Sequence, residues 1–517
     1  MTFYPIKLED THVFNSLFLD FVHQKNLLSP LHNQKFSINK EITVRNDFTY
    51  EKRIILSNLL NEQYATLEHF HESVKNNIQL LKNENTYTIT CGHQLNLFTG
   101  SYFFVFKVLT TIRLARILNN TFKDKQFVPV LWLANEDHDF DEINHFELFG
   151  KLYVWNFDSQ QTIAGEIATT DIKPFLDQLP KELEPYKRHY TKYHNLTLST
   201  FSLLNDLFGE NGLIIVDATH TLLKKQFIPI MHADLEHEIH YRLIQETNEF
   251  LIKHHYKCQL SPRPINLFYI EPNTKKRLRI THENGKYRAL NSNITWSKAS
   301  IKDEITNFPE RFSPNAALRP LYQETILPNV VFVGGPAELC YWLQLKSIFD
   351  YHNIPYPLLK FRLSGSIVNQ NYLKKWLSYG LKFEDFFLEE PILTKKIIQH
   401  EHKLDFSYEN ELQETLFTSY LEKLKKIDHG LVSLTAHEFS SIKKMFSTIE
   451  KKAFKTAERK NIEKNNQLKK IQSKVIENKV LAERRIGFFS FYLNHPSLLS
   501  DLLTNFPLED LFYIIEI

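Results

Sequence analysis

The chain has 517 residues, 43% hydrophobic and 24% charged, which is ordinary globular usage; it excludes bulk disorder and leaves room for about three domains. Its 62 Lys and Arg against 60 Asp and Glu leave a net charge of +2, so no global field marks nucleic acid or an acidic membrane as partner. The three cysteines, Cys91, Cys258 and Cys340, form neither a disulfide framework nor a zinc pattern, and no uncharged apolar run reaches about 18 residues, so a reduced, cytoplasmic protein without a membrane span is expected.

Residues 1 to about 85 read as helical and polar, with Leu56, Leu59 and Leu60 at helical spacing. Tyr87–Cys91 then reads as a short buried strand, followed by Gly92-His93-Gln94 and a second turn signal at Thr99-Gly100. Ser101–Leu118 is apolar on most faces in its first half and predicts a buried helix. Val128–Leu133 predicts the next strand, and an acidic run, Glu136 to Glu142, follows it. Strand, loop, helix and strand, with polar residues after each strand, is the βαβ pattern, whose ligands bind at the carboxyl ends of the strands. Leu213–Asp217 and Asn329–Val333 fit the same parallel sheet, because continuous β-branched runs suit strands covered on both faces.

Two inserts interrupt this core, at about 150–205 (mostly helical) and 258–312 (antiparallel, with Asn284-Gly285 as a hairpin turn). Glycine and proline then thin out, and two long helices are predicted, near 408–428 and 435–486, as an antiparallel hairpin or coiled-coil arm. Ile442, Phe446, Ile449 and Ala453 supply its three–four spacing. The stretch 450–486 carries twelve Lys and Arg against five Glu, which reads first as a solvated helix face and second as an anion or RNA surface. The expected division is a core over 1–384, a helical coiled-coil domain over 385–486, and a tail over 487–517 that packs back on the core.

Three segments carry candidate chemistry. The loop from Gly92 through His93 and Gln94 to Thr99 and Gly100 lies between a strand and a helix, where free N–H groups favour a phosphate or carboxylate; a plain structural turn is the alternative. The run Asn135-Glu136-Asp137-His138-Asp139-Phe140-Asp141-Glu142-Ile143-Asn144-His145 packs five carboxylates and two histidines at a strand end, where like charges repel unless ligands compensate. His138 suits a base or a donor, and Asp137, Asp139 and Asp141 suit an amine, sugar hydroxyls or Mg²⁺; a solvated acidic loop is the alternative. In the third, Arg319 and Gln323 suit an anionic group, and Gly334-Gly335 opens a helix after a buried strand. Cys340 reads as a buried inert thiol.

Together Gly92-x-Gln94…Thr99-Gly100, Pro129-Val130-Leu131-Trp132…Glu136-Asp137-His138-Asp139-x-Asp141-Glu142-Ile143-Asn144, and Arg319-Pro320-Leu321…Glu324…Pro328 with Gly335-Pro336-x-Glu338…Tyr341-Trp342 resemble the bacillithiol biosynthesis cysteine-adding (BshC) family, in order and spacing along essentially the whole chain. The resemblance implies a Rossmann-like core with two connective inserts and a coiled-coil domain that mediates dimerisation. It implies the last step of bacillithiol synthesis, in which the carboxyl of L-cysteine is joined to the amino group of glucosaminyl-malate. In the scheme this suggests, His138 with Asp137 and Asp139 would position the amine and accept its proton, which makes these three the expected catalytic residues. Substrate binding falls to Gly92, His93, Gln94, Thr99, Gly100, Glu136, Asp141, Asn144, Arg319, Gln323, Gly334, Gly335 and Glu338. It also implies a nucleotide, ATP or ADP, with Tyr492 and Asn494 as candidate lining. The His-x-Gly-His and Lys-Met-Ser-Lys-Ser signatures of class I aminoacyl-tRNA synthetases are absent, so ATP-dependent adenylation is an analogy.

Overall fold

The structure is a computed structural model that describes all residues except 34–35, 37–44, 160–161, 403–404 and 461. The chain forms two units, one of residues 14–364 with 483–511, the other of 1–13, 365–482 and 512–517. The passage between them after Ser364 comes earlier than the boundary expected at 384. The tail is divided between the two units, with 483–511 in the larger and 512–517 in the smaller.

The larger unit is built on a five-stranded sheet of β1 (Thr86–His93), β2 (Gln126–Leu133), β3 (Ile214–Asp217), β4 (Asn329–Gly334) and β5 (Leu358–Phe361), in the order β5-β4-β1-β2-β3. Every neighbouring pair is parallel, as the β-branched runs predict. Helix α1 (Phe103–Thr121) crosses from β1 to β2 and packs on both strands. α2 (Pro336–Leu343) follows β4, and its Trp342 is fully buried against Phe332. Truncating a buried Trp of this kind costs about 3–5 kcal/mol. The chain runs outward from β1 through β2 to β3 and then returns to the other side of β1 at β4. The order therefore reverses between β1 and β4, where the carboxyl ends of the strands leave a crevice for ligands.

Both expected inserts are present. The first holds a hairpin of His145–Leu148 and Lys151–Val154 and the helices Glu184–Lys192 and Leu196–Phe208. The second carries an antiparallel sheet in the order Thr295–Trp296, Lys286–Ala289, Arg277–Glu283, Leu267–Ile270, Phe312–Pro314. Asn284 and Gly285 both take positive φ, as a two-residue hairpin turn requires.

In the smaller unit, Thr2–Ile6 pairs antiparallel with Phe512–Glu516, in a three-stranded sheet completed by Ser364–Val368. The helical reading of residues 1–85 misses this first strand, because five residues containing Pro5 carry little strand signal; proline is tolerated at a sheet edge. The helices α3 (Ser407–Lys425) and α4 (Gly430–Lys460) form the expected hairpin, closed by Phe417 on Phe439 and by a Lys443–Glu414 ion pair. The second arm ends at Gln472, not 486, after a further helix, Ile462–Gln472. Asn478 and Lys479 then adopt positive φ and turn the chain into a short β-hairpin. Ile442, Phe446 and Ile449 are exposed, so this part of the apolar stripe faces outward, whereas Leu468, Ile471 and Val475, at the same spacing further along, are buried. No described helix is long and apolar enough to cross a membrane.

Candidate functional site

At the carboxyl end of β2 the chain turns into the acidic run, and Asp137 lies in the wall between two cavities. The first, of about 430 Å³, is lined by Trp132, Asn135, Glu136 and Asp137 on one side and by Arg263, Phe268, Arg277, Asn315, Arg319 and Tyr341 on the other. The second, of about 510 Å³, is lined by residues 137–142 together with Phe157, Asp158 and Ser159. The first has the size of a small-molecule chamber.

Three guanidinium groups reach the first cavity. Arg277 is fixed on three sides: its Nε donates to Ser313 Oγ at 3.1 Å, one terminal nitrogen donates to the Pro314 carbonyl at 2.8 Å, and its plane lies 4.1 Å from the centre of the Phe268 ring. Its other terminal nitrogen is 3.5 Å from Asp137 Oδ1 and 3.4 Å from His138 Nδ1. Arg263 lies over the same Phe268 ring at 6.0 Å. Arg319 donates to Gln323 Oε1 at 2.9 Å and lies 5.7 Å from the Trp132 ring, so buried Gln323 acts through Arg319 and does not line the chamber.

Glu136 and Asp137 are held differently. The Lys224 ammonium, fully buried, bonds both oxygens of Glu136 at 2.6 and 2.8 Å and the Phe312 carbonyl at 2.9 Å, which uses all three of its donors. Burial pulls Lys224 below the usual lysine range, and Glu136 offsets part of that. Asp137 accepts from Gln94 Nε2 at 2.8 Å and from the His138 backbone N–H at 2.8 Å. Burial opposes its ionisation, but Arg277, Gln94 and that N–H outweigh burial and hold the carboxyl below its usual range. Burial and then Arg277 push His138 below the ordinary imidazole range, so it is neutral at pH 7.

The outer wall of the chamber is backed by a buried chain of polar groups. Asn315 donates to Asn266 Oδ1 at 2.9 Å, and the Asn266 N–H donates to Asp234 at 2.6 Å. Asp234 in turn bonds His240 Nδ1 at 2.8 Å, and His240 Nε2 is 2.7 Å from His352 Nε2.

The sequence-predicted residues divide. Glu136, Asp137 and Arg319 line the chamber, while Asp137, His138, Asp139 and Asp141 line the acidic cavity. Gln94 ties the two segments together by donating also to Glu142 at 2.7 Å, and Asn96 donates to the Glu142 carbonyl at 3.1 Å. Gly100 keeps φ at +59°, and a side chain there would meet Asn96 at 3.0 Å. Gly100 and buried Thr99 thus shape the loop that carries Gln94. Gly92 is a β1 residue whose carbonyl accepts from buried Lys107. His93 stacks on Phe104 at 4.3 Å, and burial with the nearby charges of Lys107, Arg362 and Arg484 keeps it neutral. The Gly335 N–H at the start of α2, beside Gly334, already bonds Glu338, whose carboxylate also pairs with Lys107 at 2.7 Å; that turn is satisfied internally. Asn144 is buried and bonds His145. Tyr492 stacks on Phe488 and bonds Tyr186; neither it nor Asn494 lines the two cavities. Among the described residues, no group of three or more His, Cys, Asp or Glu converges as a metal site.

Sequence reasoning missed Lys224, Arg263, Arg277 and Asn315. Arg263 and Arg277 stand in the second insert, Lys224 in a connecting helix and Asn315 in the loop after Phe312–Pro314, with no local motif around any of them.

A parallel sheet with a topological switch, a charged chamber walled by the second insert and a helical hairpin define a Rossmann-like enzyme fold carrying a coiled-coil domain. Residues 1–363 match the N-terminal Rossmann-like domain of bacillithiol biosynthesis BshC, and residues 366–517 match the C-terminal coiled-coil domain of BshC. The chain belongs to the BshC family. Similar proteins named "Putative cysteine ligase BshC" come from Flavobacterium johnsoniae (37% identical over 99% of both chains), Flavobacterium psychrophilum (34% over 94% of both) and Bacillus cytotoxicus (26% over 83% of both).

Proposed function

We propose that the chain is a cytoplasmic ligase joining the carboxyl of L-cysteine to the amino group of glucosaminyl-malate, the last step of bacillithiol synthesis. The observation that carries this reading is the chamber's charge pattern: Arg263, Arg277 and Arg319 stand opposite Asp137. Glucosaminyl-malate offers two carboxylates and an amine on a hydroxyl-rich frame. Guanidinium forks suit the carboxylates, and the ionised Asp137 suits the amine. Glu136 is neutralised by Lys224 and contributes acceptors without adding net negative charge.

Amide formation from a free carboxyl needs activation, and ATP enters the reading as the activating agent by family resemblance. The Gly335 turn does not favour its phosphates, since Glu338 takes the Gly335 N–H. What this chain's residues supply is orientation: a clamped Arg277, a tethered Asp137 and a chamber walled on one side by the second insert.

Incubating purified protein with cysteine and glucosaminyl-malate, with and without ATP, and following the products by mass spectrometry tests the reading. The amide is expected in one arm at least, and its absence from both overturns the assignment. The outward-facing Leu412, Leu416, Ile442, Phe446 and Ile449 on α3 and α4 support a homodimer through the hairpin. Sedimentation of a variant with Leu416→Glu and Phe446→Glu should then show a monomer.

A further inference from the structure

From the contacts around the acidic run we infer that Arg277 locks His138 in the tautomer carrying its proton on Nε2, so that His138 serves the substrate as a hydrogen-bond donor and not as its proton acceptor. This rests on the ligase reading for its substrate, but not for its geometry. A guanidinium has only donors and keeps its charge. Its terminal nitrogen stands 3.4 Å from His138 Nδ1, so that ring nitrogen must present its lone pair. Asp137 Oδ1, the acceptor that would call for a proton on Nδ1, is farther, at 3.6 Å, and already takes the backbone N–H of His138 at 2.8 Å.

Arg277 has no freedom to withdraw. Ser313, the Pro314 carbonyl and the Phe268 ring hold it, and His138 itself leans on Phe268 with ring centres 5.8 Å apart. The charges facing the imidazole are Arg277 and Arg263 from the second insert and Asp137 and Asp139 from its own segment. With Nδ1 engaged, Nε2 is the remaining polar atom of the ring, and it has no hydrogen-bond partner among the described residues. A neutral ring with its proton on Nε2 offers a donor there. That donor suits a carbonyl or carboxylate oxygen of the substrate on which negative charge develops. Arg277 is thus a positioning residue: it acts through the imidazole in addition to any contact of its own.

Glutamine places an amide donor near where His138 Nε2 lies but cannot serve as a base, whereas asparagine imitates the Nδ1 position. The inference expects His138→Gln to keep turnover within about tenfold of the parent, while His138→Ala and His138→Asn lose about 100-fold or more, the range of a removed transition-state donor. If His138→Gln falls as far as His138→Ala, and the parent's pH–rate profile has a limb that the variant lacks, His138 is a base and the inference is overturned. A readout independent of turnover is nitrogen-15 NMR of the full-length protein labelled at histidine, with His138 located by its disappearance in His138→Gln. Nδ1 is expected unprotonated and Nε2 protonated at pH 7, with a mixture of tautomers in Arg277→Met. A proton on Nδ1 in the parent would sink the inference even if amide formation were established. Failure of the amide assay would leave this measurement standing.

Discussion

The two cavities that share Asp137 differ in how their charge is held. In the first, nearly every charged group is clamped. Lys224 has its three partners, Arg277 has carbonyl, hydroxyl and ring contacts, and Arg319 rests on Gln323. In the second, Asp139 and Asp141 lie on an open acidic surface where solvent screens them. Density of charge along the sequence and preorganisation of charge in space are therefore separate properties. Charges already fixed in place need no reorganisation to meet a ligand, whereas solvated ones are screened and contribute little.

The largest test of this contrast is Lys224→Met. Removing one member of a buried ion pair strands the other, which costs about 3–5 kcal/mol. Glu136 retains slight solvent contact, so the lower end of that range is expected, read as a loss of unfolding free energy in urea. Adding Glu136→Gln should recover much of the loss, because the cycle then removes both charges. If Lys224→Met is neutral, the pair is solvated and the chamber is not the preorganised site described here. Next in size is Arg319→Met. Loss of one charge-assisted contact to a carboxylate is worth about 1.5–3 kcal/mol, or roughly 10- to 150-fold. It should appear chiefly as a raised KM for glucosaminyl-malate, with the KM for cysteine little changed. Equal effects on both substrates would place Arg319 elsewhere in the reaction.

The contrast also marks how far the sequence could be read. The parallel sheet was legible because β2 and β4 are largely apolar runs and β1 is rich in β-branched residues, each with turn residues near its end. The acidic segment was legible because its residues are contiguous. The cationic half was legible only at Arg319: Arg263 and Arg277 reach the chamber only when the second insert folds over the sheet end, and Lys224 meets Glu136 from a connecting helix with no motif around it. An Arg on a strand such as Arg277–Glu283 looks like any exposed strand residue until the Phe268 ring beneath it is known. Gly335 misled for a related reason. A glycine turn before a helix suggests an anion, but the sequence also supplied that anion in Glu338, at the capping-box spacing.

A smaller effect separates the two cavities by pH. Burial lowers His352 to about 4, from an ordinary value near 6.5, with His240 as a second cause. Its folded-state pKa is depressed. Its contribution to stability is therefore fully present above pH 6.5 and is lost as pH falls toward 4, where the unfolded chain binds the proton more readily. Because His352 is only partly buried, the loss is discounted to on the order of 1 kcal/mol. Acid should loosen the Asn266–Asn315 wall of the chamber through His240 and Asp234. His352→Gln should flatten the stability profile between pH 4 and 6.5, measured by urea unfolding across that range; an unchanged slope would show that the histidine pair is not coupled to folding.

The smallest predicted effect is the sharpest discriminator. Asp141 belongs to the run that drew attention in the sequence, yet it lines only the acidic cavity and is exposed. If the substrate occupies the chamber and reaches no further into the acidic cavity than the His138 imidazole, Asp141→Asn removes a screened charge away from the bound molecule and changes kcat/KM by no more than about threefold, the scale of an exposed charge worth well under 1 kcal/mol. Asp137→Asn, one wall away, removes a tethered carboxylate and should cost far more. A loss for Asp141→Asn comparable with that of Asp137→Asn would mean that the substrate spans both cavities. The acidic run would then be part of the binding surface rather than its outer edge.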